Sequence, residues 1–300
     1  LYQSLHLKVD AAVAAKIHEY AQRHHITLNT IMQGVWSYLL HHYTGNENIV
    51  YGVVVSGRPD DLPGVEQRVG MYINTLPLHT VIKQDANIAG WLQGLQSEQV
   101  SSRQYQHTPL QTVQGWSGIQ GDLFDTLLTF ENYPVSKILN SRQWILDVMN
   151  VNVEEQTNYP LSIIIGSAEE ISIVFSYNTV LLEEIYVKEI RGHFENVLLQ
   201  VLQKEKVKVS DLNLLTSPEQ QQILFEFNQP VTLHTTNKTI IDLFEEQVEK
   251  TPQAVAVVCG STSFTYQELN AKSNQLAFYL KQKGIKEKAL VPVFIENSLE

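Results

Sequence analysis

A polar, proline-interrupted stretch at residues 206–238 divides the sequence, and this division constrains the fold more than any other feature. Ser217-Pro218 and Gln229-Pro230 lie within it, and proline removes a backbone donor and interrupts regular structure. The segment EQQQILFEF between the two prolines is amphipathic, so we expect a linker that packs on its neighbours. The sequence thus predicts one domain over residues 1–205 and a second over residues 239–300.

The first block has the apolar spacing of a layered α/β domain. Thr27 occupies an N-cap position, and Thr44-Gly45-Asn46 forms a helix stop. The patterns predict helices over residues 10–24, 27–44, 87–104 and 182–203, with a short one after Pro109. They predict strands over residues 49–55, 69–82, 123–132 and 144–153, and a hairpin over residues 161–177.

The second block has the pattern of another α/β domain that is cut short. Thr239 with Asp242, and Thr265 with Glu268, have the spacing of capping boxes, which mark helix starts. The apolar runs AVAVVCG and ALVPVFI predict strands. Because the chain starts with leucine and its last residue, Glu300, falls inside a strand-to-helix passage, we expect both ends to be cuts within a longer protein.

Charge and cysteine content narrow the function classes. The formal net charge is −11 and no Lys/Arg cluster is present, so we expect no nucleic-acid partner. The one cysteine, Cys259, lies in AVAVVCG and is predicted to be a buried, inert thiol in a reducing, cytoplasmic setting. No signal peptide and no apolar run long enough to cross a bilayer is found, so no membrane partner is expected.

Common site patterns are incomplete in this sequence. Gly260-Ser261-Thr262-Ser263 lacks the later glycine and lysine of a phosphate-binding loop, and a turn between two strands is the preferred interpretation. No serine–histidine–aspartate or metal-ligand constellation is identifiable by spacing.

Four segments of the first block resemble, in order, the signatures of condensation domains of non-ribosomal peptide synthetases. The first contains a GR-x-x-x-LPG loop followed by VG-x-x-INTLP, and the third, LFDTLLTFENYP, is a close match. The four segments are VVVSGRPDDLPGVEQRVGMYINTLPLHT at 53–80, YQHTPLQTVQGWS at 105–117, LFDTLLTFENYP at 123–134 and TNYPLSIII at 157–165. One match would be weak, whereas four in order at compatible spacing are strong.

The second block resembles the opening of an adenylation domain, in which SFTYQELN is the first recognisable motif. The segment LLTSPEQQQILFEFNQP is similar to the usual connector between the two domains. The resemblance implies a fold: the C-terminal lobe of a chloramphenicol-acetyltransferase-like condensation domain, then the truncated α/β start of an adenylate-forming domain.

The resemblance also implies a function in amide-bond formation. A carrier-bound acceptor amine attacks a carrier-bound donor thioester in a tunnel between two lobes, and the adenylation domain activates the amino acid. The resemblance implies that the family's His-His-x-x-x-Asp-Gly motif belongs to the N-terminal lobe, which is missing here. Neither His24-His25 nor His41-His42 matches this motif, because Asn and Thr, or Asn and Glu, stand at its last two positions. We therefore expect no catalytic residue here and an inactive fragment.

Two residues are candidates for lining or supporting the tunnel. Asn74 in VGMYINTLP could hydrogen-bond substrate or orient the catalytic loop, or it could satisfy a backbone group at a strand irregularity. Arg58 could contact a carrier phosphate, or it could anchor a loop through a structural pair. Both alternatives stay open for each residue at this stage.

The resemblance implies partners and cofactors of the parent synthetase. The partners are the missing condensation lobe, peptidyl carrier domains in cis or in trans and the rest of the adenylation domain. The parent uses ATP with Mg²⁺ and carrier-bound phosphopantetheine, whereas the fragment is expected to bind no cofactor or metal. The alternatives are a non-catalytic platform that positions carriers and a related acyltransferase of the same fold.

Overall fold

The computed structural model contains two compact units, residues Leu1–Phe227 and Asn228–Glu300. It describes residues 1–58, 62–131, 157–167, 170–203, 207–228, 238–286 and 289–294. Residues 207–227, which the sequence assigns to the linker, belong to the first unit. The domain limits given by the sequence stay a prediction.

The first unit combines a mixed sheet with helices that pack on it. Its described strands are β1 (Tyr2–Lys8), β2 (Asn48–Val55), β3 (Asn74–Val81), β4 (Thr126–Glu131), β5 (Leu161–Gly166) and β6 (Ser172–Asn178). Its described helices are α1 (Ala11–His24), α2 (Leu28–Thr44), α3 (Ile88–Ser102), α4 (Leu110–Ser117), α5 (Glu184–Gln203) and α6 (Ser217–Gln221). Short 3-10 turns occur at Val65–Gln67, Arg103–Tyr105 and Val209–Asp211, and a π-turn follows α6 at Gln222–Glu226.

The sheet order is β1-β6-β5-β4-β2-β3. The pairs β2–β4 and β4–β5 are parallel, and the remaining neighbours are antiparallel. The central strands are largely apolar, and Ile163, Ile173 and Phe175 are fully buried, as expected where helices cover a sheet. The hydrophobic core therefore lies between this sheet and the helices.

Helix α2 is the most deeply buried element of the first unit. Ile31, Met32 and Leu39 are fully buried and Trp36 is nearly so, and each such side chain contributes about 1.5–3 kcal/mol by leaving water. The Trp36 indole N–H also donates to Thr126 Oγ1 of β4 at 3.2 Å. The helix thereby fixes its own register against the sheet.

The ends of α2 follow the sequence signals closely. The Thr27 hydroxyl accepts from the Thr30 N–H at 3.1 Å, and Gly45 adopts φ +70° after the last turn, a conformation that glycine adopts without strain. The predicted helices at 10–24, 87–104 and 182–203 are present with ends shifted by a few residues, as is the hairpin.

The structure corrects the predicted strand at 69–82, which begins only at Asn74. The partner strand β2 ends at Val55, opposite Asn74, so earlier residues have no neighbouring strand to pair with. Val69 and Met71 accordingly project fully into solvent. Strand β1 was not predicted from the sequence, and the predicted strand at 144–153 lies outside the described residues.

The second unit contains α7 (Ile240–Lys250), the antiparallel pair β7 (Val255–Cys259) and β8 (Thr262–Thr265), and α8 (Tyr266–Gln282). Both predicted capping boxes are formed, at α7 and at α8, and Gly260 lies in the β7–β8 turn with φ +61°.

Two predictions for the second unit are wrong. Cys259 is exposed, because the sheet has only two strands among the described residues and leaves the end of β7 uncovered. The predicted strand at 289–295 is absent over the described residues 289–294, where no strand pairs with them. In the described parts of the chain, no helix is long and apolar enough to cross a membrane.

We expect Gly52→Ala to destabilise the first unit. A Cβ at Gly52 in β2 would lie 2.4 Å from a Phe124 ring atom and 2.9 Å from Leu127 Cδ1, and such overpacking costs about 1–3 kcal/mol. Gly94→Ala on α3 is the matched control, because a Cβ there meets nothing within 4 Å and helix propensity favours alanine by about 1 kcal/mol.

Urea unfolding followed by tryptophan fluorescence measures this difference, because all four tryptophans precede residue 145 and report on the first unit alone. A Gly52→Ala protein as stable as Gly94→Ala would contradict the packing described for β2.

Candidate functional site

A cleft of about 860 Å³ opens where the start of α2, the end of β2 and the end of α3 meet. Its lining is rich in side-chain amides and hydroxyls and includes two arginines. The lining residues are Asn29, Gln33, Val53, Val54, Val55, Ser56, Arg58, Leu62, Gln99, Ser102, Arg103, Gln104, Gln106 and His107. Two signature segments that are separated in sequence, at 53–80 and 105–117, therefore meet at this cleft.

Three amides form the inner wall of the cleft. Gln99 Nε2 of α3 donates to Gln33 Oε1 of α2, and Gln33 is only 2% exposed. Asn29 lies one turn before Gln33, and its buried Oδ1 has no hydrogen-bond partner among the described residues. An amide can both donate and accept, so this wall suits a ligand that itself carries amide groups.

Arg58 anchors the loop that borders the cleft. Its Nη1 donates to the carbonyl oxygens of Val65 and Arg68, and its guanidinium lies 4.4 Å from the centre of the Tyr72 ring. A guanidinium has five N–H donors, and hydrogen bonds to the described residues occupy only Nη1. Within the described residues, Arg58 is thus a loop anchor held by two carbonyls and a ring.

Gly57 allows this loop to fold tightly against residue 72. It adopts φ +62°, and a Cβ there would lie 1.7 Å from the Tyr72 carbonyl oxygen. Any other residue would be strained and would push the two backbone segments apart. The glycine next to Arg58 is thus required by the shape of the cleft border.

Asn74 lies behind the cleft and fixes one of its walls. Its Nδ2 donates to the carbonyl oxygens of Gln106 at 2.9 Å and Thr108 at 2.7 Å, and its Oδ1 accepts from the Thr75 N–H at 2.9 Å. The side chain therefore pairs with backbone groups on either side of His107, whose neighbour Gln106 also lines the cleft.

The two histidine pairs have structural environments. His25 ends α1 in the left-handed conformation, and the His24 ring contacts that of Tyr20. His41 Nδ1 lies 2.6 Å from the Asn46 carbonyl oxygen, and His42 contacts the Tyr38 ring. None of the four lines the cleft.

Sequence analysis missed the amide wall. Asn29 and Gln33 are four residues apart, which places them on one face of α2, and a polar pair on an otherwise apolar helix was a usable signal. Gln99 could not be added from the sequence, because its contact with Gln33 spans 66 residues.

Comparisons with known proteins place the two units in known families. Residues 2–224 match the family described as Condensation domain, and residues 244–300 match the family described as AMP-binding enzyme. A linear gramicidin synthase of Brevibacillus parabrevis is 38% identical to this chain over 301 residues, covering 100% of the chain and 6% of the synthase. Gramicidin S synthase 2 of Aneurinibacillus migulanus is 35% identical over 295 residues, covering 97% of the chain and 7% of that synthase. The chain spans between 4% and 12% of the length of the curated relatives it matches.

Solved structures show the same fold. A holo four-domain nonribosomal peptide synthetase bound to AMP and glycine is similar with a TM-score of 0.72 and 18% identity, over 95% of this chain and 23% of that one. The first condensation domain of the CDA synthetase is similar with a TM-score of 0.57 and 14% identity, over 71% of this chain and 48% of that one.

We expect Asn74→Ala to destabilise the first unit by about 1–3 kcal/mol, because two backbone carbonyls lose a shared donor. Asn48→Ala is the matched control, since Asn48 lies at the other end of β2 and its exposed side chain pairs with the exposed His79 at 3.3 Å. Urea unfolding followed by tryptophan fluorescence compares the two variants. Equal stability of the two variants would show that the Asn74 pairs contribute little to the cleft wall.

Proposed function

Because the chain belongs to the condensation-domain family and continues into the start of an AMP-binding enzyme, we propose that it forms one side of an amide-forming site in a non-ribosomal peptide synthetase. The reaction joins aminoacyl or peptidyl groups held as thioesters on carrier domains. The following AMP-binding unit belongs to the domain that activates the amino acid. The products are peptides of secondary metabolism.

The observation that carries this proposal is the amide-lined cleft between two signature segments. Its volume of about 860 Å³ is within the range of small-molecule sites. The pantetheine arm of a carrier contains amide groups along an extended chain, and the side-chain amides of Gln99 and Gln104 at the cleft surface match such groups. Gln33 and Asn29 form the buried backing of this wall. The arm enters as part of the substrate.

Amide formation depends on holding the two reactants in the correct relative position more than on an unusual functional group. The acceptor amine forms a C–N bond with the donor carbonyl carbon, the C–S bond breaks, the thiol leaves with a proton, and the amine loses one. Holding the two reactants in place contributes several kcal/mol to such a step, roughly 7–11 in the best cases. In this proposal the described cleft residues bind and orient, and the proton acceptor comes from the other lobe.

Arg58 and Asn74 support the site in different ways. Arg58 has N–H donors at the border of the cleft from which no described residue accepts a hydrogen bond, and the phosphate of the carrier arm would provide a charged acceptor there. Asn74 acts as a positioning residue, because it holds the backbone around His107 without lining the cleft itself.

The partners follow from the same proposal. They are the other condensation lobe, carrier domains and the rest of the adenylation domain, in a cytoplasmic synthetase. ATP and Mg²⁺ serve the activation step in that longer protein. In the described parts of this chain no group of three His, Cys, Asp or Glu side chains could hold a metal ion.

The proposal is tested by Gln99→Leu in the complete synthetase. Leucine keeps much of the volume but removes the amide, so we expect amide formation between loaded carriers to fall about tenfold, the loss expected for one hydrogen bond. Amino-acid-dependent pyrophosphate exchange should not change. The melting temperature of the condensation unit should fall, because the buried Gln33 Oε1 loses its donor, so amide formation is compared well below the melting transition, where both variants are folded. Gln111→Leu on α4 is the matched control, because Gln111 is exposed and does not line the cleft.

Product is measured by mass spectrometry from single-turnover reactions. Unchanged amide formation in Gln99→Leu would contradict a binding role for the cleft. A wild-type synthetase with normal pyrophosphate exchange and no amide product would instead favour a non-catalytic platform that positions carriers.

A further inference from the structure

The segment at residues 212–227, here called the linker segment, is held on the first unit by side chains of α2 and α5. Tyr43 Oη lies 2.8 Å from His193 Nδ1. The other nitrogen of the same ring, Nε2, lies 2.9 and 3.1 Å from the two carboxylate oxygens of Glu219. Three side chains from α2, α5 and α6 thus form one chain of contacts, which we call the linker clamp.

The protonation states of the linker clamp follow from its geometry. Partial burial acts to raise the pKa of the Glu219 carboxyl, but hydrogen bonds from Thr216 and the proximity of His193 outweigh it and lower that pKa. Glu219 is therefore a carboxylate and can only accept, so His193 Nε2 carries a hydrogen. Burial raises the pKa of the Tyr43 hydroxyl, which therefore keeps its own hydrogen beside His193 Nδ1.

The linker clamp is better shielded than the other ion pairs of the first unit that the structure describes. The side chains of His193 and Glu219 are 10% and 26% exposed, whereas those of Lys188 and Glu184 are 50% and 51% exposed. Exposed pairs contribute little to stability, while a hydrogen bond to a charged group that is shielded from water is about twice as strong as a neutral one. Among these pairs, the His193–Glu219 contact is therefore the one expected to stabilise the bound position of the linker segment.

Further side chains bind the backbone at the start of the linker segment. Tyr38 of α2 donates to the Leu212 carbonyl oxygen at 2.7 Å. Asn196 of α5 donates to three successive carbonyl oxygens, at residues 213–215, and Gln200 both donates to and accepts from the Asn213 backbone. The linker segment therefore has a built docking site rather than a nonspecific contact.

Helix α2 connects this docking site to the cleft. Gln33 lies on the cleft wall and Tyr43 in the linker clamp, and ten residues of helix place them about 15 Å apart along one rigid axis. A linker segment bound at the end of α2 therefore leaves the unit at a fixed distance from the cleft.

We propose that the His193–Glu219 contact is a positioning contact that docks the linker segment and so fixes where the chain leaves the condensation unit towards the AMP-binding unit. The expected effect of docking on amide formation rests on the proposed function, since a fixed exit point matters only where carriers are exchanged between the two units. The docking itself can be measured independently of any activity.

Hydrogen exchange in the complete synthetase tests the docking. We expect His193→Ala to speed exchange of the backbone amides of residues 213–221 by about tenfold or more, as for the loss of one charge-assisted hydrogen bond. His193→Gln should restore slow exchange, because its side-chain N–H takes the place of Nε2. His79→Ala is the matched control, since His79 is an exposed imidazole on the edge strand β3.

A second variant removes the same contact but keeps the ring of His193, so that misfolding caused by the loss of the ring can be distinguished from the loss of the contact. Glu219→Ala truncates a surface helix and leaves the core intact, and it should speed exchange of the same amides. If exchange at residues 213–221 is unchanged in both variants while α2 stays protected, the linker clamp does not dock the segment and the proposal is overturned.

The same proteins are assayed for amide formation and for pyrophosphate exchange. We expect His193→Ala and Glu219→Ala to lower amide formation severalfold at unchanged pyrophosphate exchange, with recovery in His193→Gln. Faster linker exchange with unchanged amide formation would overturn the positioning role. Absence of amide formation in the wild-type synthetase would contradict the proposed function and would leave the exchange result for the linker clamp standing.

Discussion

The burial of α2 between the sheet and its neighbouring helices is the interaction on which the rest of the first unit depends. Its apolar side chains fill the core, and Trp36 ties the helix to β4 through Thr126. Because the helix is fixed along its length, the polar side chains at its two ends are fixed as well. Asn29 and Gln33 reach the cleft at one end, and Tyr38 and Tyr43 hold the linker segment at the other. One packed element therefore positions both the cleft and the linker segment.

Backbone carbonyl groups at the border of the cleft accept hydrogen bonds from two side chains. Asn74 holds the carbonyls around His107, and Arg58 holds those of the bordering loop. Buried carbonyls left without donors would cost about 1–3 kcal/mol each, so these two side chains make an irregular wall possible between regular elements. Their position next to the amide wall gives the cleft a polar border in which the carbonyls of Val65, Arg68, Gln106 and Thr108 are paired.

Local signals predicted much of the fold. Caps at Thr27, Thr239 and Thr265 and glycine stops gave helix ends to within a few residues, because capping depends on neighbours in sequence. The ordered signature segments also predicted the family correctly. Features that depend on distant partners were missed or wrong. The strand at 69–82 is shorter because β2 ends at Val55. Cys259 is exposed because the sheet of the second unit has two strands among the described residues. For Asn74 the pattern indicated importance, but its partners lie 32 and 34 residues away and could not be identified.

The central claim is that the amide-lined cleft receives the pantetheine arm of a carrier. The most direct measurement is site-specific labelling of Gln104→Cys in a Cys259→Ser background, since Cys259 is the one cysteine of the chain, with a thiol-reactive pantetheine analogue as probe. Gln104 lines the cleft and Gln111 does not. Faster labelling of Gln104→Cys than of Gln111→Cys, with the difference removed by excess S-methylpantetheine, which has no free thiol, is the predicted result. Equal labelling rates for the two cysteines, unaffected by S-methylpantetheine, would contradict the claim.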